Sequence, residues 1–337
     1  MSALTRDIKQ EAFRLGFDVV GIARVPPPPS SESRSLPVHP FPLHQRLYTA
    51  LRRWLQQGYH GTMNWMNRNP EKRSNPAHVL PGCRSIISLG INYYTDSQSD
   101  ERTGNGRIAR YAWGEDYHRL FKQRLKSLEA SLRLLAPKAT MLSYVDTGPI
   151  MEKAWAQEAG LGWIGKHSNL VSPEFGSWLL LGEILTTLPL QPDEPETDAC
   201  GSCTLCLQAC PTGAIVEPYV VDAEQCISYL TIEFRGEAHA IPEDLRSKMG
   251  NRIFGCDDCL DICPYNMNAT PTKELSFQPS PLTKGPSLRT LLTFTEDDFH
   301  RTFQRSPIRR AHYQGFLRNV KLAEQNGQAT TLPSDSP

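Results

Sequence analysis

The spacing of cysteines between Cys200 and Cys263 constrains this chain more than any other feature. Eight of its nine cysteines fall in that interval. They run Cys200-x2-Cys203-x2-Cys206-x3-Cys210-Pro211, then Cys226 alone, then Cys256-x2-Cys259-x3-Cys263-Pro264. Thiolates at i, i+3 and i+6 can hold three corners of a [4Fe-4S] cube. The Cys-Pro that follows sends its sulfur to the other cluster, as in bacterial ferredoxins. The pattern therefore assigns Cys200, Cys203, Cys206 and Cys263 to cluster one, and Cys210, Cys226, Cys256 and Cys259 to cluster two. Leu260, Asp261 and Ile262 occupy the gap in the second run, so Cys226 supplies its missing ligand. Zinc ribbons and a disulfide framework are the alternatives. Zinc sites show paired Cys-x2-Cys or His units instead of this run. Disulfides need an oxidising compartment, whereas the start MSALTRDIKQEAFRLG has no apolar signal core, so a cytoplasmic protein is expected. Two clusters imply one-electron transport.

A length of 337 residues predicts two or three domains. No apolar run approaches the ~20 residues of a membrane span, so no membrane association is expected. The charges balance at 36 basic and 36 acidic residues, which excludes a protein that coats nucleic acid non-specifically. Local basic faces remain available. Arginines and lysines crowd the stretch from Arg34 to Arg73, and Arg301, Arg305, Arg309, Arg310 and Arg318 follow one another with no acid between the first and last. Each stretch alone reads as a solvated surface.

Periodicity and turn residues predict a helix over 3–17, a strand over 18–25, and a stiff polar loop from the Pro26–Pro29 run to Ser35. A helix over 43–57, a strand over 85–92, a long helix over 116–135 and a strand over 141–145 follow. Another helix is expected over 149–159 and an apolar strand over 178–187. An acidic, Pro-rich linker then enters the cysteine region. After a second Pro-rich segment, residues 288–319 read as two or three short helices, and 326–337 as disordered. Cys83 reads as a small buried hydrophobe.

Two stretches carry candidate chemistry. Asp146 stands at a strand end before Thr147-Gly148-Pro149, where a rigid strand can fix an accessible acid. On the residues alone the preferred reading is an N-cap for the next helix. The run Gly160-Leu161-Gly162-Trp163-Ile164-Gly165-Lys166-His167 matches G-x-G-x-x-G but follows a helix, and lacks the Ser or Thr a P-loop needs. It reads as a loop placed against a cofactor or substrate, with an ordinary turn as the alternative.

The Cys run continuing Pro211-Thr212-Gly213-Ala214-Ile215, Val145-Asp146-Thr147-Gly148-Pro149, the Gly160–Lys166 loop, and Ser306-Pro307-Ile308-Arg309-Arg310 together resemble the epoxyqueuosine reductase family, from the first helix to about Asn326. The resemblance implies reduction of the epoxide of epoxyqueuosine at the tRNA wobble position to queuosine, through base-off Co(I) cobalamin fed by two [4Fe-4S] clusters. It implies an α+β chain: a nitroreductase-like α/β cobalamin-binding domain over 1–190, similar to that of reductive dehalogenases, a two-cluster ferredoxin domain over 191–275, a HEAT-like helical tRNA-contacting segment over 276–326, and a disordered tail over 327–337. A monomer is implied, with an external donor of flavodoxin or ferredoxin type.

The same resemblance reverses the preference at Asp146, making it the proton donor, with Tyr117 and His118 beside the substrate oxygen. It points to Arg110, Asp146, Gly162, Lys166 and Asn169 around cobalamin, and to Arg301, Arg305, Arg309, Arg310 and Arg318 on tRNA phosphates. Asp116-Tyr117-His118-Arg119-Leu120-Phe121 falls short of the cobalamin signature Asp-x-His-x-x-Gly because its glycine is absent, so His118 is not assigned to cobalt. A small-molecule cobalamin reductase and a non-catalytic electron-transfer subunit are the competing functions. The first would need no basic C-terminal helices, and the second would not bind cobalamin.

Overall fold

The computed structural model describes residues 2–26 and 42–331. Most of the predicted Pro26–Ser35 loop and the last residues of the tail lie outside them. At the centre is a four-stranded sheet in the order Val19–Arg24, Ser85–Asn92, Leu179–Thr186, Met141–Tyr144, with every pairing antiparallel. Ser85–Asn92 is buried at all positions, as its β-branched run requires of a strand covered on both faces.

One face packs against the helices Ala3–Arg14 and Tyr117–Leu135 through Ile8, Ile87, Leu89, Phe121 and Leu125. The other takes the helix Glu152–Glu158, whose Trp155 and Ala156 meet Ile86 and Leu185. The mixed helix and strand content agrees with an α+β chain. The predicted helix over 149–159 starts late, at Glu152, because Thr147–Ile150 is spent on an irregular turn after Asp146.

Residues 288–331 form the helices Leu288–Leu292 and Glu296–Thr302, a short 3-10 turn over Pro307–Ala311, and a long helix His312–Thr331. Phe299, Phe303 and Phe316 meet at ring separations of 5.2 to 5.4 Å and share one core with Ile108, Trp113, Ile253 and Phe254. Each such ring contributes roughly 1.5–3 kcal/mol on burial. The helix passes through residues 327–331, which were expected to be disordered. Asn326 accounts for part of this order, since its Nδ2 donates to the carbonyls of Arg246 (2.9 Å) and Gly250 (3.0 Å). Among the described residues no helix is long and apolar enough to cross a membrane.

Candidate functional site

A cavity of about 1130 Å³ opens between the sheet domain and the C-terminal helices. Asp116, Tyr117, His118 and Asp146 form one wall, Ser228, Tyr229 and Ile232 another, and Gln304, Arg309, Arg310 and His312 a third. The first wall is built at the N-terminus of the Tyr117–Leu135 helix. Asp116 caps it, accepting the His118 N–H at 3.0 Å and the His118 Nδ1–H at 2.7 Å. That bond turns Nε2 toward Asp146 Oδ2, 3.6 Å away. The Tyr117 hydroxyl donates directly to the same Oδ2.

Asp146 itself caps no helix. Its φ of 53° is left-handed, and its N–H donates to Glu152 Oε1 at 2.6 Å. The helix beginning at Glu152 has no side-chain cap. The cap reading fails because the turn through Thr147–Ile150 separates Asp146 from that helix. Burial raises the Asp146 pKa above the ordinary carboxyl value, against the opposing bond from Glu152 and the Lys153 charge. The same carboxyl is 47% exposed, because what lies over it is the open cavity. Burial against the protein, with Asp146 beside it, pushes Glu152 up to about 8.

The cysteines fall into two groups in space. Burial, with Cys200 and Cys203 as neighbours, raises the Cys206 thiol, and the same pair acts on Cys263. Burial raises Cys226, with Cys210 beside it, and Cys259, with Cys256, Cys226 and Cys210 beside it. Such thiols ionise only when a metal takes the proton's place. The helix Ile227–Ile232 follows Cys226 directly and carries the Ser228–Ile232 wall of the cavity, so the second group stands behind that wall. Lys153 lies within the electrostatic reach of Cys226, Cys259, Asp146 and Glu152, although burial dominates and lowers its pKa.

Several sequence expectations need correction. The glycines of the 160–167 loop approach their own chain: a Cβ at Gly162 would meet the Val171 carbonyl oxygen at 2.2 Å, and one at Gly160 the Glu194 oxygen at 2.7 Å. Lys166 donates to the carbonyls of Gly201 (2.6 Å) and Cys203 (2.8 Å), which ties the loop to the first cysteine run instead of to the cavity. Arg110 lies outside the cavity as well. Its guanidinium sits over Trp113, Tyr94 and Trp178 and donates to Ser97 O, while its N–H bonds Asp257.

Asn169 accepts from Lys153 Nζ at 2.7 Å. Arg318 is 7% exposed and donates to the carbonyls of Leu230, Phe234 and Gly236, so it cannot meet a phosphate. Arg301 and Arg305 are exposed, paired with Asp298 and Glu115. Arg309 and Arg310 line the cavity, and Arg310 is paired with Glu233 at 2.8 Å. Sequence reasoning missed Glu152, Lys153 and Glu183. Only Glu183, a lone acid in the apolar run Trp178–Leu185, left a signal.

Comparison with known proteins decides the family. The family model described as "Epoxyqueuosine reductase QueG, DUF1730" matches residues 73–147, and that of a 4Fe-4S double cluster binding domain matches 199–266. The epoxyqueuosine reductase of Synechocystis sp. is 47% identical over 80% of this chain and 93% of its own length. That of Escherichia coli is 41% identical over 97% and 82%. The chain belongs to the epoxyqueuosine reductase family. Its oxidoreductase character follows. A crystal structure of an epoxyqueuosine reductase with an epoxyqueuosine-modified tRNA-Tyr stem loop covers 96% of this chain and 82% of its own, at 30% identity and a TM-score of 0.85. The Bacillus subtilis enzyme, with an aspartate catalytic loop swung out of its active site, aligns at 29% identity, a TM-score of 0.84 and the same coverages.

Proposed function

We propose that this chain reduces the epoxide of epoxyqueuosine in the wobble nucleotide of tRNA to the alkene of queuosine, releasing water. One observation carries the reading: a single cavity places the acid Asp146, with Tyr117 and His118 on it, opposite the basic edge of Arg309 and Arg310. A splayed wobble base enters such a pocket while the flanking phosphates meet the arginines. The relative bound to a modified stem loop supports this partner, and the aspartate loop of the B. subtilis enzyme supports Asp146 as the acid.

The cavity fits a cobalamin. At about 1130 Å³ it exceeds the roughly 300–1,000 Å³ of ordinary small-ligand sites. Asp146 is desolvated by the protein on one side yet opens onto the cavity on the other, as a side chain under a large cofactor would be. Asp146, Tyr229 and Ile232 would border the group, which when reduced would supply electrons to the strained ring. Arg110, Gly162 and Lys166 do not line this cavity.

The protein's work is then positional and protic. Arg309 and Arg310 hold the anticodon backbone, Tyr117 and His118 fix the oxygen, and Asp146 protonates it as the C–O bond breaks. The two cysteine groups carry two [4Fe-4S] clusters in series, the second beside the cavity and the first toward the exposed Leu205 and Tyr265, where an external one-electron carrier would dock. In this reading residues 1–190 are the nitroreductase-like catalytic part, 191–275 the ferredoxin part and 276–326 a HEAT-like tRNA-contacting segment of a cytoplasmic monomer. The test incubates reduced, cobalamin-loaded protein with tRNA carrying epoxyqueuosine and follows nucleosides by mass spectrometry. Loss of one oxygen is expected, and an unchanged nucleoside mass overturns the proposal.

A further inference from the structure

Removing an epoxide oxygen as water consumes two electrons and two protons, and of the three carboxyls lining the cavity Asp116 is bonded to His118 and Glu233 is paired with Arg310, which leaves Asp146 as the acid. Two more carboxyls stand behind it. Glu152 accepts the Asp146 N–H at 2.6 Å, and its carboxyl is in side-chain hydrogen-bonding contact with those of Asp146 and Glu183. Glu183 is 2% exposed and projects from the Leu179–Thr186 strand, across from Tyr144 on one side and Ser88 on the other. Among the described residues its Oε1 has no hydrogen-bond partner, nor has Ser88 Oγ. With no cation bonded to it, a buried carboxylate is costly, so Glu183 rests as the neutral acid and ionises only in passing.

The charged and titratable groups facing this trio are Lys153, Asp116, Tyr117, His118, Arg310 and Tyr111. Lys153 is engaged elsewhere, donating to Ser168 O at 3.0 Å and Asn169 Oδ1 at 2.7 Å.

We infer that Asp146, Glu152 and Glu183 form a proton relay, running from the cavity wall into the sheet, that recharges Asp146 within one turnover. The inference rests on Asp146 as the acid. Asp146 gives its proton to the oxygen as the first C–O bond opens and becomes a carboxylate. Glu152 passes its proton to Asp146 and takes one from Glu183. Asp146 then protonates the leaving oxygen, water departs with the second C–O bond, and solvent returns two protons to the relay. The two electrons come from the external one-electron carrier through the clusters. The direction of the shifts agrees: burial pushes Glu152 up to about 8 and Glu183 well above the usual range, so both hold protons at neutral pH.

Two measurements test this. Infrared spectra of the cofactor-free protein at neutral pH should show the carbonyl stretch of buried protonated carboxyls, sensitive to D2O, with a component that titrates near pH 8 and is missing in Glu152→Gln. Absence of that band from the wild type overturns the relay without reference to any variant. In the loaded enzyme, Glu152→Gln should move the alkaline limb of the pH–rate profile down by about one unit or more and lower kcat at pH 8 by roughly tenfold, with KM for tRNA unchanged and Glu152→Asp restoring much of the rate. Glu183→Gln should weaken the alkaline limb in the same direction. An alkaline limb that stays in place in both Gln variants overturns the relay. Asp146→Asn separates the two levels: if it is inactive while the Gln variants behave as wild type, the acid stands and the relay falls, and if it is active the underlying reading falls.

Discussion

The Nε2 of His118 stands 3.6 Å from Oδ2 of Asp146, while its Nδ1 is bonded to Asp116 at 2.7 Å. Because Asp116 is also the cap of the Tyr117–Leu135 helix, the ring is aimed by the same residue that starts the helix. The geometry gives Asp146 a donor, Tyr117, and an oriented imidazole at one oxygen. Asp146→Asn keeps the shape and removes the proton, so kcat should fall by about 10²–10⁴. Iron content, sulfide content and cobalamin binding, measured on the same preparation, should match the wild type.

The raised Glu152 pKa links stability to pH. Its folded value of about 8 lies above the ordinary 4.5, so between these limits the folded state binds more protons than the unfolded. Its stabilising contribution is full below about pH 4.5 and is lost as pH rises through about 8. Thermal melts of the cofactor-free protein should therefore show Tm declining across that window, and Glu152→Gln should flatten the decline.

The sequence was most legible where local chemistry decides the outcome. Ser85–Asn92 forms over the predicted residues because its β-branched run suits only a covered strand. The cysteine spacing anticipated two groups of sulfurs for the same reason, since ligand geometry is local. What stayed hidden depends on distant partners. The glycines at 160 and 162 signalled close approach, but not that Val171 and Glu194 were what they approach. Arg318 looked like its neighbours in sequence and differs from them because the Leu230–Gly236 carbonyls lie over it. Glu152 drew no notice in the sequence, because what distinguishes it is Glu183, which the sheet places behind it.

Lys166 should set the first cluster's potential. Its ammonium is held at Gly201 O and Cys203 O, within the loop that carries Cys200, Cys203 and Cys206. A reduced cluster carries one more negative charge, which a nearby cation stabilises. Lys166→Met should shift that cluster's midpoint to more negative potential in an EPR-monitored redox titration and leave the other cluster unmoved.

The crossing of ligands between the two cysteine runs makes its own prediction. Cys263 follows Cys259 by four positions yet gathers with Cys200, Cys203 and Cys206. Cys263→Ser should therefore damage the cluster of the first run, and Cys210→Ser that of the second. Mössbauer spectra of the two variants should each retain one intact [4Fe-4S] signal, and the two signals should differ.

Arginines of one C-terminal stretch should separate into two behaviours. Arg318 satisfies three carbonyls, one buried and two partly buried, and Asn319 beside it is fully buried on Thr231 O and Ile253 O. Arg318→Ala strands those acceptors and should cost about 2–4 kcal/mol, read as a lower denaturation midpoint. Arg309 and Arg310 are exposed at the cavity edge, and the exposed Arg310–Glu233 pair contributes little to stability. Arg309→Ala and Arg310→Ala should leave that midpoint within about 0.5 kcal/mol of the wild type. Each should instead weaken tRNA stem-loop binding and lower the slope of log K against log salt by about one, because one phosphate contact is lost. Equal salt slopes in wild type and both variants would place the tRNA backbone elsewhere on the molecule.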